Sequence, residues 1–185
     1  MREPSELEQV LQHGIDLRAR RIYLQGDIDE ESAARVIRGI HLISSSEAGK
    51  AAPRPISLVL SSYGGSIDAA FAIHDAVQIS PAPIHVLAMG ICCSAAPLIL
   101  ACGAKRQATA NTEFMLHPAS MESEGQPGNV ASNAESVIER CKAMNKLLAR
   151  YTYKLYSFWS KFDRGHDRFF TAEEAREWGL IDEIL

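Results

Sequence analysis

The chain has 185 residues, a formal net charge of -4, 46% hydrophobic residues and 23% charged ones. That length suits one domain with a sizeable core, and the composition excludes disorder over most of it. The acidic balance disfavours non-specific nucleic-acid binding, which needs a broad basic field. No apolar run approaches the roughly 20 residues that span a bilayer, and the start, MREPSELE, reads as neither a secretory signal nor an Arg-rich transit peptide. The four cysteines lack C-x-x-C spacing, so a reduced, cytoplasmic setting is expected rather than a zinc ribbon or redox site.

In chain order, residues 5–18 carry Leu7, Val10, Leu11 and Ile15 at helical spacing, weakened by Gly14. Residues 21–24 read as a strand stopped by Gly26. Asp29 or Ser32 can cap a helix whose apolar side is Ala33, Val36, Ile37 and Ile40. The polar, small-residue stretch 44–55 reads as a mobile surface loop. Residues 56–60 (ISLVL) form a buried strand running into Ser61-Ser62-Tyr63-Gly64-Gly65-Ser66, and Ser66 caps a helix ended by Pro81 and Pro83. Residues 84–90 form a second such strand, followed by the turn Ile91-Cys92-Cys93-Ser94 and a helix apolar on every side. EFMLH is a strand ending at Pro118, and 125–128 a loop. From about 131 to 157 runs one long helix, with Val137, Cys141, Met144, Leu148, Tyr151 and Leu155 as its stripe. The end holds a short helix with a capping box from Thr171 and Glu174, then a last strand. Strands alternating with helices predict an α/β fold with mainly parallel strands.

Two stretches share a design of buried strand, tight small-residue turn and helix: LVLSSYGGS and VLAMGICCSAAP. Ligands collect at such strand ends. Glycine lets backbone N–H groups approach closely, and a helix N-terminus adds unpaired donors, so an oxyanion hole can be built there. Ser94 is either the N-cap of its helix or a nucleophile. A nucleophilic serine needs a base and an orienting acid. His117 ends a strand at the same edge. His13, His41 and His74 lie on helices with polar neighbours and read as solvated. Asp163 and Asp167 both follow the long helix, and spacing does not choose between them. Cys92 and Cys93 are rival nucleophiles, better read as core fillers. No carboxylate pair, phosphate loop or metal-ligand spacing stands out.

YGGSIDAAFAIHDAV, AMGICCSAAPLILACGAKR, EFMLHPAS and HDRFFTAEEAREWGLIDEIL together resemble the proteolytic subunit of the Clp protease, ClpP, from about Arg21 to the C-terminus. The resemblance implies a single peptidase domain over residues 1–185 in the ClpP/crotonase-like α/β fold. It would have an N-terminal segment over 1–20 and a handle region over about 119–157. It implies a serine endopeptidase acting on peptides or unfolded proteins, with Ser94, His117 and Asp167 as triad and the N–H groups of Gly65 and Ala95 as oxyanion donors. Asp167 is chosen by its D-R-F context. No metal or organic cofactor is implied.

The resemblance also implies heptameric rings, stacked in pairs around a chamber, served by an ATP-driven AAA+ unfoldase. Several departures mark a divergent member. Tyr63 replaces the proline of the family's Ser-Pro-Gly-Gly turn, and His166 replaces an arginine that helps couple the rings. The handle strand after His117 lacks its Gly-Gly, and Ser57 and Val59 replace aromatics of the unfoldase dock. Two other readings remain: a non-catalytic ring subunit, and a crotonase-type acyl-CoA enzyme that shares the fold and the paired N–H hole.

Overall fold

The structure, a computed structural model, describes residues 10, 12–120 and 124–185. Among these, eight strands make one sheet: Ile15–Asp16 (β1), Arg21–Ile28 (β2), Ile56–Gly65 (β3), Ile84–Cys93 (β4), Lys105–Ala108 (β5), Glu113–Leu116 (β6), Arg168–Phe170 (β7) and Glu183–Ile184 (β8). The helices are Glu30–Ser44 (α1), Ile67–Ile79 (α2), Ala96–Ala101 (α3), Pro127–Tyr151 (α4), Tyr156–Trp159 (α5) and Ala172–Glu177 (α6). The strand order is β1-β2-β3-β4-β5-β8, with β6 beside β4 and β7 beside β6. Every pairing is parallel except β1–β2 and β6–β7. This is the mainly parallel α/β sheet with interleaved helices that the alternation predicted.

Leu24, Leu58, Leu60, Val86 and Leu98 are fully buried between sheet and helices. Each such side chain contributes about 1.5–3 kcal/mol of transfer free energy. Asp29 caps α1 reciprocally with Ser32, through Ser32 N–H to Asp29 Oδ1 at 2.7 Å and Asp29 N–H to Ser32 Oγ at 2.9 Å. The Thr171/Glu174 capping box opens α6 in the same way.

Several local expectations are corrected. The first helix does not reach residue 18: Gly14 N–H closes the last turn on Val10 O, Gly14 turns left-handed at φ +63°, and Ile15 joins a strand. The rest of that helical stripe, including Leu7 and Leu11, lies outside the described residues. Gly26, at φ +84°, does not stop β2 but bulges it, with a register shift between Gln25 and Asp27. The short strands β5 and β7 carry too few alternating apolar residues to be read from sequence.

The long helix begins at Pro127, inside the expected loop, and ends at Tyr151. Thr152 explains the stop. Its hydroxyl donates to Leu148 O at 2.7 Å and accepts from Trp159 Nε1–H at 3.0 Å, while Tyr153 N–H turns to Trp178 O. Leu155, expected on the stripe, is 76% exposed. Phe158, Trp159, Phe162, Phe170 and Trp178 then pack ring on ring, fixing the base of α4 against β7 and α6.

The loop after α1 is anchored rather than loose. Its Glu47 side chain is shielded from solvent and takes Arg54 N–H at 3.0 Å, with Arg20, Lys50 and Arg54 within 3.2–3.3 Å. These contacts, the Arg54 backbone N–H foremost, lower its pKa to about 2 against the opposing cost of desolvation. A depressed carboxylate contributes stability that is complete above its ordinary value of 4.5 and disappears as pH falls toward about 2. Glu47→Gln should therefore lower the Tm at neutral pH. Thermal melts of variant and wild type should converge as the buffer is taken from pH 5 to about pH 2. A Tm difference independent of pH over that range would contradict the charge-based account.

Candidate active site

β4 changes partner halfway along. His85–Ala88 pair with β5, whereas Ile91–Cys93 pair with β6, and the chain switches through Gly90 at φ +76°. The second register sets Cys93 opposite Met115, and Ser94 N–H donates to Met115 O at 2.7 Å. His117 follows two residues after Met115, so the two strand ends deliver Ser94 and His117 to one place. Ser94 Oγ lies 2.8 Å from His117 Nε2.

Ser94 is not the helix cap. Ala95 takes that position, with no side-chain cap bond, and Pro97 in the first turn needs no N–H acceptor. Ser94 itself adopts φ +57°, a left-handed conformation uncommon for a residue with a Cβ. Such strain gathers at functional sites. Here it frees the hydroxyl from the helix and turns it to His117. His117 Nδ1 lies 2.7 Å from Pro118 O. A carbonyl oxygen only accepts, so Nδ1 carries the proton and Nε2 accepts from Ser94 Oγ–H.

The glycine turn closes the opposite wall. A Cβ placed on Gly64 would lie 2.5 Å from Ser94 Cβ, 2.7 Å from Cys93 O and 3.0 Å from Ala95 N. The backbones of the two turns thus touch, and Gly64 also needs φ +99°. Ser62, fully buried, takes Gly64 N–H on its hydroxyl at 3.0 Å. Gly65 turns through φ +141°, and its Cβ would meet Ile28 O at 2.3 Å. The next amide, Ser66 N–H, bonds Ile28 O at 2.7 Å, so strand alternation turns Gly65 N–H away from β2. Among the described residues no hydrogen bond uses the Ala95 N–H. Gly64→Ala should destabilise the fold by about 2–4 kcal/mol, through overpacking and an unfavourable φ, and should push Ser94 from His117. Urea denaturation alongside nucleophile-labelling rates would check this, and unchanged values in both would contradict the geometry.

Of the two candidate acids, Asp163 is engaged elsewhere: both of its carboxylate oxygens accept from Asn145 Nδ2, at 2.8 and 2.9 Å, at the base of α4. Asp167 is exposed, just before β7. The antiparallel β6–β7 register ends with Leu116 opposite Arg168, and one further step in that register would set His117 opposite Asp167. Among the described residues no hydrogen bond joins them, and His117 Nδ1 lies instead 2.7 Å from Pro118 O.

The cysteine alternative fares worse. Cys92 and Cys93 are buried, and burial pushes both thiols up, Cys92 well up, away from the reactive thiolate. His74 corrects the expectation of a solvated histidine. It is buried, with Nδ1 2.8 Å from Asp75 Oδ1 and Nε2 2.8 Å from Tyr151 Oη, and it locks α2 to the end of α4.

Ser94 and His117 open on a cleft of about 590 Å³, floored by the glycine turn and flanked by α4. Asp68, at the start of α2, and Arg140, on α4, form an ion pair at its rim. Sequence reasoning missed that pair, and no local signal links residues so far apart. It also missed Ser62 and the Pro118 carbonyl. Among the described residues no group of three or more His, Cys, Asp or Glu could hold a metal ion. Nor, among them, is any helix long and apolar enough to cross a membrane.

The family model described as Clp protease matches residues 8–185. The chain is 34% identical over 171 residues to ATP-dependent Clp protease proteolytic subunit 2 of Corynebacterium efficiens, covering 91% of this chain and 83% of the relative. It is 35% identical to ATP-dependent Clp protease proteolytic subunit 1 of Streptomyces avermitilis, covering 91% and 77%. Against proteolytic subunit 1 of Corynebacterium jeikeium the identity is 32%, covering 91% and 88%. With its mainly parallel sheet and strand-end turns in the ClpP/crotonase-like α/β arrangement, the chain belongs to the Clp protease family, as a divergent member.

Proposed function

We propose that this protein is a serine endopeptidase that hydrolyses peptide bonds of peptides or unfolded proteins through an acyl-enzyme. The observation that carries the proposal is the 2.8 Å approach of Ser94 Oγ to His117 Nε2, with His117 in the tautomer whose Nε2 can accept a proton. His117 takes the Ser94 proton as Oγ attacks the scissile carbonyl, then returns it to the leaving amine. A water, deprotonated by the same imidazole, releases the acyl group. The N–H groups of Gly65 and Ala95 hold the developing oxyanion; Gly65 lines the same cleft as Ser94, and Ala95 follows Ser94 in the chain with its N–H beside the Gly64 turn, which supports this role. Asp167 is the orienting acid. It replaces the Pro118 carbonyl on Nδ1 when β7 closes by one further step of its register.

The peptidase acts as heptameric rings stacked in pairs, with α4 in the handle between them. The relatives' description as proteolytic subunits supports assembly, and their description as ATP-dependent supports an AAA+ unfoldase partner. The setting is cytoplasmic. A non-catalytic ring subunit is the second reading, favoured by the absent Asp167–His117 bond.

The purified protein should cut an unfolded polypeptide and short fluorogenic peptides. Mass mapping of the termini will tell endopeptidase from end-trimming activity. An assembled protein that cuts nothing by itself, and works only beside an active paralogue, would favour the second reading.

A further inference from the structure

A second cleft, of about 550 Å³, adjoins the first and shares Ala119 and Val137 with it. The two have opposite electrical character. Asp27 and Asp68 face Arg140 around Ser94, two carboxylates against one cation. The second cleft carries Lys142, Lys161 and Arg164 against Asp163 alone. Asp163 has its two oxygens on the Asn145 amide, and Lys142 is held by Glu139 at 2.7 Å. Among the described residues Lys161 and Arg164 make no ion pair, and both are exposed at the mouth. Tyr156 and Ser160 also line the cleft.

We propose that this second cleft is a specificity subsite that selects an acidic side chain of the peptide, within a few residues of the bond cut at Ser94. The inference rests on the peptidase reading and deepens it. An extended peptide lying over Ser94 and His117 passes Ala119 and Val137 into the cationic cleft. There Lys161 and Arg164 can donate charge-assisted hydrogen bonds to a carboxylate, Arg164 through its two-pronged guanidinium. A lysine or arginine at that peptide position would meet like charge, and a glutamine would keep the shape without the charge. The anionic rim around Ser94 repels an acid there, which fixes the direction in which the peptide lies.

The test uses the assembled protein and matched decapeptides carrying Glu, Gln or Lys at one position stepped along the sequence. Cleavage is mapped by mass spectrometry, and binding is read by anisotropy on the Ser94→Ala protein. At one register the Glu peptide should be favoured over its Gln counterpart by roughly tenfold in both readouts, the scale of one hydrogen bond to a charged group. Lys161→Gln with Arg164→Gln should remove that ratio, and Lys161→Glu with Arg164→Glu should invert the Glu-to-Lys preference. Equal handling of Glu and Gln at every register, or a ratio that survives the double variant, overturns the subsite. A double variant whose native mass drops to monomer also overturns it, since the cations would then serve an interface between copies. If wild type cuts nothing but Ser94→Ala still prefers the Glu peptide through Lys161 and Arg164, the peptidase reading fails while the acid-selecting cleft stands.

Discussion

Ser94→Ala should cut peptide turnover by about 10⁵-fold or more, the scale seen when a serine nucleophile is removed from such a machine. The fold should be untouched. Alanine keeps the Cβ that packs against Gly64, and its backbone faces the same φ of +57° that serine already bears. The Ser94 N–H bond to Met115 O is likewise independent of the side chain. Equal melting curves beside the lost turnover would assign the effect to chemistry. Retained turnover would move the nucleophile elsewhere, and the buried, thiol-raised Cys92 and Cys93 offer no ready substitute.

The second large effect concerns Asp167. The Pro118 carbonyl lies 2.7 Å from His117 Nδ1, and in the proposed mechanism the Asp167 carboxylate, one register step beyond the Leu116–Arg168 pair, would take its place. Both would select the same tautomer, but only the carboxylate would stabilise the imidazolium formed in the proposed attack by Ser94. Asp167→Asn should therefore lower kcat by about 10³–10⁴-fold, because the amide can also present a donor and favour the wrong tautomer. If Pro118 were the working partner, kcat would change little. Steady-state kinetics on the assembled variant distinguish the two, with native mass as the control for assembly.

Much of the fold was legible because its signals are local. The Asp29/Ser32 and Thr171/Glu174 caps, the buried strand over 56–60 and the apolar helix after Ser94 each follow from a few neighbouring residues. What could not be read depends on distant parts. The end of α4 at Tyr151 is set by Trp159 and Trp178, and β5 exists because β4 and β8 flank it. Ser94 shows the same division. Its position left cap and nucleophile open, since both want a small polar residue before a helix. The partner switch of β4 at Gly90 and the left-handed turn decide against the cap, and neither is a property of the residues next to it. Asp163 and Asp167 are equivalent by spacing, and only the structure brings Asn145, 18 residues from Asp163, onto the Asp163 carboxylate.

The most direct measurement is covalent labelling of the folded, assembled protein with a fluorophosphonate, followed by peptide mapping. One phosphonyl adduct per chain on Ser94, absent in Ser94→Ala and slowed when His117 is replaced by alanine, is the predicted result. No adduct on the assembled protein, or an adduct on any residue other than Ser94, would contradict the account.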